Sequence, residues 1–253
     1  MRRSSRVLLT LAVVWLCLSH TEATAPRLPG IGSVLPDLVL WAWERPTDLR
    51  GLDAHTGVAF LAQTILVGDR RITVAPRRHP LRVSPATPLV AVTRLESPRD
   101  VTAFLEDEDL DALAARIAGT ARLPRVVAVQ IDFDATSSER VFYRRLLSRV
   151  RAALPLGTPL SMTALASWCV GDNWLDGLPV DEAVPMLFRM GPINEPYAAI
   201  GESPAHAAQV CRTAVGTSLD EPMRIGGRAR RVYVFNNDAW SASAVARAKE
   251  VIE

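Results

Sequence analysis

Residues 126–136 read VVAVQIDFDAT, and the alternation within that run decides the fold. Its odd positions Val127, Val129, Ile131 and Phe133 are large and apolar, while Ala128, Gln130, Asp132 and Asp134 are small or polar. A period of two is the mark of a strand with two unlike faces. Helices cover an apolar face, and a small or polar face suits the lumen of a parallel barrel. Asp132 and Asp134 then share the inner face at the strand's C-terminal end, where barrel enzymes place their chemistry. The plainer alternative is a pair of sheet-edge carboxylates capping a loop or the next helix. Two acids on the inner parity after an apolar run favour a site.

Outward from this run, the same reading gives further strands at Leu38–Trp43, Gly57–Val67 and Pro88–Glu96 on the N-terminal side. Downstream they are Pro159–Trp168, Ala183–Phe188, Ala214–Leu219 and Arg231–Phe235. Helical spacing appears in Asp100–Gly119, with apolar Val101, Phe104, Leu105, Leu110, Leu113 and Ile117. A second helix runs to Leu154, capped by Ser137 or Ser138 and stopped by Pro155 and Gly157. A third starts at Pro204 and reaches about Thr213, and Ser241–Ile252 closes the chain. After the second strand, Gly68–Val83 carries Ile72–Val74, Pro76 and Pro80, the pattern of a β-hairpin excursion in place of a helix. Eight strands separated mainly by helices or helix-length segments predict an α/β fold, a (β/α)8 TIM-type barrel made irregular by the hairpin. A doubly wound open sheet is the alternative. The length, 253 residues, suits one barrel domain over residues 38–253.

The N-terminal residues are of another kind. Arg2, Arg3 and Arg6 precede the apolar run Val7–Leu18, and Ala23 and Ala25 follow. Basic start, short apolar core and small-residue end predict a secretory signal peptide over 1–25, or an uncleaved anchor. Residues 26–37, rich in Pro and Gly, read as a linker. Residues 1–25 hold three arginines and one glutamate against totals of 29 basic and 27 acidic residues, so the remainder is neutral. The scattered arginines form no cluster, which argues against a nucleic-acid partner. Beyond the N-terminus no apolar run is long enough to span a bilayer. Export to a periplasmic or secreted location allows Cys169 and Cys211 to pair. Their expected places, the top of a strand and the lower end of the following helix, stand against an easy bridge.

On a barrel, the upper rim would collect Trp43, Glu44, Glu96, Asp132, Asp134, Trp168, Arg189, Glu221, Asn236 and Trp240. Acids with aromatic platforms suit a carbohydrate or glycoconjugate, because carboxylates protonate the leaving oxygen and indoles stack on sugar rings. Asp134, furthest out, is the candidate general acid, with Asp132 deeper as its orienting or stabilising partner. Glu44, Glu96 or Glu221 would supply a second carboxylate; Trp43, Trp168 and Trp240 would flank the sugar, and Arg189 would meet an acidic or acylated substituent. The alternative is that Arg94 or Arg189 closes both aspartates into a salt-bridge network with no pocket above. His55, His79 and His206 lack ligand spacing, so no metal is expected. No glycine-rich phosphate loop follows a strand, and no cofactor is expected.

The succession WAWERP, GVAFLAQTI, QIDFDATSSER, TALASWC, DEAVPMLFRMG and DEP resembles an exported bacterial family, domain of unknown function 3142. That resemblance covers nearly the whole chain after residue 25 and brings no activity with it. More distantly, the chain is similar to chitinase-like glycoside hydrolases, which carry D-x-x-D-x-D-x-E at the end of strand four and M-x-Y-D on strand six. Asp132 and Asp134 match the two later aspartates, while Thr136 stands at the glutamate. Met186–Arg189 matches the second run with Arg in place of Asp. A register that puts Asp134 in the acid's place keeps a hydrolase open. A catalytically silent sugar-binding barrel and a structural component of an envelope assembly are the alternatives.

Overall fold

The computed structural model describes residues 31–68, 71–98, 105–190, 195–223, 225–226 and 231–252, with the side chains of Ser33, Glu195, Pro196, Ala198 and Pro204 outside that description. Eight parallel strands succeed one another as β1 (Leu38–Ala42), β2 (Thr56–Gly68), β3 (Leu89–Glu96), β4 (Val126–Asp132), β5 (Leu160–Leu165), β6 (Glu182–Met186), β7 (Ala214–Ser218) and β8 (Arg231–Phe235). Each pairs with the next, and β8 returns to β1, so the sheet closes as a TIM-type barrel. The expected period of two is realised on β4. Ala128 packs in the lumen with Val39, Trp41, Val92 and Tyr233, while Val129, Ile131 and Phe133 join the outer core.

That outer core lies between the strands and the helices. Helix α1 (Asp107–Gly119) turns Leu110, Leu113, Ala114 and Ile117 inward, one stripe of a 3.6-residue repeat. Asp107, Glu108 and Asp109 fill its first turn, where acids complement the helix dipole. The helix is shorter than its sequence reading, and Val101 and Phe104 lie outside the described residues. Helix α2 (Arg140–Ala153) buries Phe142, Tyr143, Leu146, Leu147 and Val150. It is led in by the turn Ser137–Glu139, and the cap is Thr136 rather than Ser137 or Ser138. Glu139 Oε2 accepts from the Thr136 backbone N–H and hydroxyl, both at 2.8 Å. The Glu139 N–H donates back to the Thr136 carbonyl at 3.0 Å, which closes the turn as a capping box.

The third expected helix is displaced. Helix α3 is Glu195–Glu202, and Pro204–His206 and Gln209–Cys211 are single 3-10 turns. Helix α4 (Ala242–Glu250) follows β8, with the Ser241 hydroxyl accepting the Ala244 N–H at 3.1 Å. Among the described residues no helix is long and apolar enough to cross a membrane.

The hairpin stands where predicted. Arg71–Pro76 pairs antiparallel with the end of β2, and Leu81–Val83 runs parallel to Thr47–Leu49. Arg77 ties this excursion to the rim, donating to the carbonyls of Trp43 (2.8 Å) and Arg45 (2.7 Å).

At the opposite end a helical turn, Ile31–Val34, followed by Leu35, packs into the floor of the lumen. These residues, read as linker, are part of the core. Arg231 donates to the carbonyls of Ile31 (3.1 Å), Leu35 (3.3 Å) and Pro36 (3.1 Å), and its Nη1 meets Glu182 Oε2 at 2.6 Å. Glu182 Oε1 also accepts from the Tyr233 hydroxyl (2.6 Å) and from Ser161 (3.1 Å). Burial pushes the Glu182 carboxyl above its ordinary value, against the pull of Arg231 and the hydroxyl donors.

Cys169 and Cys211 form a disulfide with Cα atoms 6.1 Å apart, contrary to the expectation drawn from their places in the chain. The reason is the displaced helix: Cys211 ends a short turn instead of a helix, and the Ala208 N–H donates to the Cys169 carbonyl at 2.8 Å. The bridge closes 42 residues of chain. Its loss in a Cys169→Ser, Cys211→Ser variant is expected to cost about 2–4 kcal/mol, through the freed unfolded chain. Urea unfolding with and without reductant checks this: the native chain should fall to the variant's midpoint on reduction, and coincident midpoints without reductant would refute it.

Candidate active site

The cross-strand register of β3 and β4 sets Arg94 opposite Asp132. Arg94 Nη1 meets Asp132 Oδ2 at 2.7 Å, and Thr163 of β5 donates to Oδ1 at 2.8 Å. Asp132 is 2% exposed and so is fixed from both sides. Two residues on, past the end of β4, Asp134 is half exposed, with its Oδ2 3.8 Å from Arg94 Nη2. Its carboxyl is raised above the ordinary aspartate value, first by burial and then by the charge of Asp132, with Arg94 pulling the other way. The two acids therefore differ in kind, one a clamped acceptor and the other a carboxyl free to face a ligand.

Both line a cavity of about 620 Å³ at the C-terminal rim. Trp43 and Phe235 form part of its wall, with Met186 and Phe188 from the end of β6 and Tyr197 from α3. Trp41 stacks on Phe235 beneath, with ring centroids 4.5 Å apart, which gives the aromatic wall a rigid floor. Arg189 lines the same cavity. The network feared from sequence is thus half present: Arg94 clamps Asp132 and reaches Asp134, and an open cavity lies above.

The structure brings Trp43, Asp132, Asp134 and Arg189 together and leaves the other candidates elsewhere. Glu44 Oε1 accepts from the N–H groups of Arg78 (2.8 Å) and His79 (2.9 Å) and from the His79 ring, so it pins the hairpin. Burial would raise its carboxyl, but these donors and Arg77 hold it below its ordinary value. Glu96 is exposed and receives Arg94 Nε at 3.1 Å, and Glu221 accepts the Arg189 backbone N–H at 2.7 Å. Trp168 is 3% exposed, in edge contact with Trp174 in the outer core, so it is no sugar platform. Its place in a 3-10 turn breaks the strand parity on which that reading rested. Trp240 packs against the outer core and donates Nε1 to the Trp41 carbonyl at 2.8 Å. Asn236 is buried and organises the turn after β8 through the Asp238 N–H.

Sequence reasoning missed Met186, Phe188, Phe235 and Tyr197. The first two follow the inner parity of β6, and Phe235 shares that of Tyr233 on β8, so their signal was readable. Tyr197 sits on a helix that no periodicity announced.

The separation of the two acids predicts a titration result. Substituting Asp132→Asn removes a charge that raises the Asp134 carboxyl and releases Arg94 toward it. The Asp134 titration, followed by carboxyl carbon NMR, should then move to lower pH. An unchanged or upward-moved midpoint would show that the pair is not coupled as the geometry requires.

No family model matches the chain, and no curated protein matches it. Among solved structures it is similar to the Bacillus cereus spore cortex-lytic enzyme SleL, at 17% identity and a TM-score of 0.52. That match covers 73% of this chain and 51% of the other, so the chain spans about half the length of the enzyme it resembles. The chitinase domain of the spore coat protein CotE from Clostridium difficile matches at 13% identity over 75% of this chain and 59% of that one, with a TM-score of 0.43. At such identities the likeness to SleL is one of fold.

Proposed function

We propose that this chain is an exported glycoside hydrolase-like protein, of the domain of unknown function 3142 type, acting on a polysaccharide or glycoconjugate. One observation carries the reading: an open, raised-pKa aspartate stands beside a clamped one, inside an aromatic-walled cavity at the C-terminal rim of the barrel. The barrel likeness to a cortex-lytic enzyme supports it at the level of fold.

In this reading Asp134 gives its proton to the glycosidic oxygen as the bond to the sugar breaks, and water then adds to the anomeric carbon and returns a proton to Asp134. Burial and the neighbouring charge keep that proton available at higher pH than an ordinary aspartate would. Asp132, with both oxygens accepting hydrogen bonds, sets a fixed negative charge beneath the oxocarbenium-like centre. Trp43, partly exposed in the cavity wall, offers a face on which a sugar ring stacks, with the buried Phe235 ring packed behind it. Because the acid must be protonated, the rate falls as pH rises through the Asp134 pKa.

A second reading, a barrel that binds sugar without cutting it, is favoured by a specific observation. Among the described residues, no carboxylate besides Asp132 and Asp134 lines the cavity, since Glu44, Glu96 and Glu221 are engaged elsewhere. A screen of exported polysaccharides, scored for both calorimetric binding and new reducing ends, separates the two. Reducing ends released from a bound glycan establish the hydrolase, binding alone establishes the module, and neither on any glycan overturns both. Export is tested by N-terminal sequencing of the fractionated protein, where cytosolic material retaining Met1 would overturn it.

A further inference from the structure

Two arginines line the cavity, and their surroundings are opposite. Arg94 faces three carboxylates: Asp132 at 2.7 Å, Glu96 at 3.1 Å and Asp134 at 3.8 Å. Arg189, just past the end of β6, meets none through its guanidinium among the described residues. Its Nη2 donates to the neutral amide oxygen of Asn237 at 3.0 Å. That amide is itself fixed, its Nδ2 donating to Asp220 and its backbone carbonyl accepting from Arg45 at 2.6 Å.

Arg189 is also one of two non-glycine residues among those described with positive φ, at 55°. A side chain there crowds its own backbone, and such a conformation persists only where neighbours impose it. Here they do: Glu221 takes the Arg189 N–H at 2.7 Å, and the Leu187 N–H donates to the Gly216 carbonyl at 2.8 Å. The structure thus fixes an awkward backbone turn beside the cavity and gives the guanidinium one acceptor among the described residues, Asn237.

The charges decide what those donors are for. With Asp134 protonated, as its proposed role requires, Arg94 and Asp132 cancel. Arg189 is then the net charge of the cavity lining. Arg189 is exposed, so a hydroxyl or an acyl carbonyl would satisfy one N–H and leave the charge facing water without a counterion. A carboxylate matches both the charge and the planar fork.

We infer that Arg189 is a specificity residue that binds the carboxylate of an acidic sugar, so that the glycan taken by this cavity carries a uronate or lactyl-ether carboxylate. This deepens the proposed function and rests on the cavity being a glycan site.

The test is calorimetric binding by the full chain of two carboxylated probes, oligogalacturonate and peptide-free glycan strands bearing lactyl ethers. Each is paired with the same material reduced at its carboxyl groups to alcohols, and sulfated and neutral chito-oligosaccharides are run beside them. At least one carboxylated probe should bind about tenfold to a hundredfold more tightly than its reduced form. Which probe shows the difference identifies the source of the carboxylate. In Arg189→Gln the difference between the two forms should vanish, whatever that variant's affinity for the reduced form. Arg189→Lys, which keeps the charge and loses the fork, should fall between. Should Arg189→Gln fail to fold, the ratio of native to reduced probe on the unaltered chain decides alone. Equal binding of both forms, a preference surviving in Arg189→Gln, or tighter binding of the sulfated probe overturns the inference and leaves the glycan reading standing. If no glycan probe binds in any form, both fall together.

Discussion

Replacing Arg231 by methionine is expected to lower the unfolding free energy by about 3–5 kcal/mol, a large share of what a domain of this kind has. The side chain lies at the floor of the lumen against Glu182, which is 0% exposed. Without the guanidinium, Glu182 keeps only the Tyr233 and Ser161 hydroxyls, and an unpaired charge remains in the barrel interior. The loss has a definite pH dependence. Burial already raises the Glu182 carboxyl above the ordinary value of 4.5, and removing Arg231 raises it further. The unfolded chain releases that proton first, so the penalty is smallest below about pH 4.5, where both states hold it, and grows as pH rises. Urea unfolding over this range should show the divergence. Adding Glu182→Gln to the same chain should recover much of the loss, because the stranded charge is gone. A single variant within about 1 kcal/mol of the native chain at neutral pH would mean that water or another group already compensates Glu182.

Substituting Asp134→Asn is expected to reduce glycan hydrolysis by about a hundredfold to ten-thousandfold, the usual worth of a positioned general acid. The change is nearly isosteric at a half-exposed position, so the melting temperature and the affinity for the same glycan should stay close to native. Near-equal loss in kcat and in kcat/KM is the signature of a group that acts in the transition state. A fall of less than tenfold with binding intact removes Asp134 from the acid's role and leaves the binding barrel as the better description.

Much of this architecture was legible because the two faces of a barrel strand see different surroundings. On β4 the alternation from Ala128 to Asp132 declared both faces, while a register shift at the strand's start turns Val127 toward the lumen. The hairpin was legible for a related reason, since Pro76 and Pro80 forbid a helix where the excursion runs. Parity served the site only as far as the strands extend. It holds for Asp132 and Arg94, reaches Trp43 one residue past β1, and fails for Trp168, which lies in a turn where alternation carries no information. Glu44 and Glu221 were misplaced for a different reason. Each meets backbone N–H groups brought in from distant parts of the chain, and no local pattern reports such contacts. Reading Pro204 as the start of a helix hid α3 and, with it, Tyr197 and the disulfide.

The turn at Ile31–Val34 gives the molecule a back and a front. Arg231 grips the carbonyls of that turn and of Leu35 at the end where the strands begin, while the cavity opens where they finish. Residue 31 therefore joins the barrel at its base, at the end remote from the mouth of the cavity. A ligand reaching the cavity from the C-terminal rim thus never meets the turn that closes the floor.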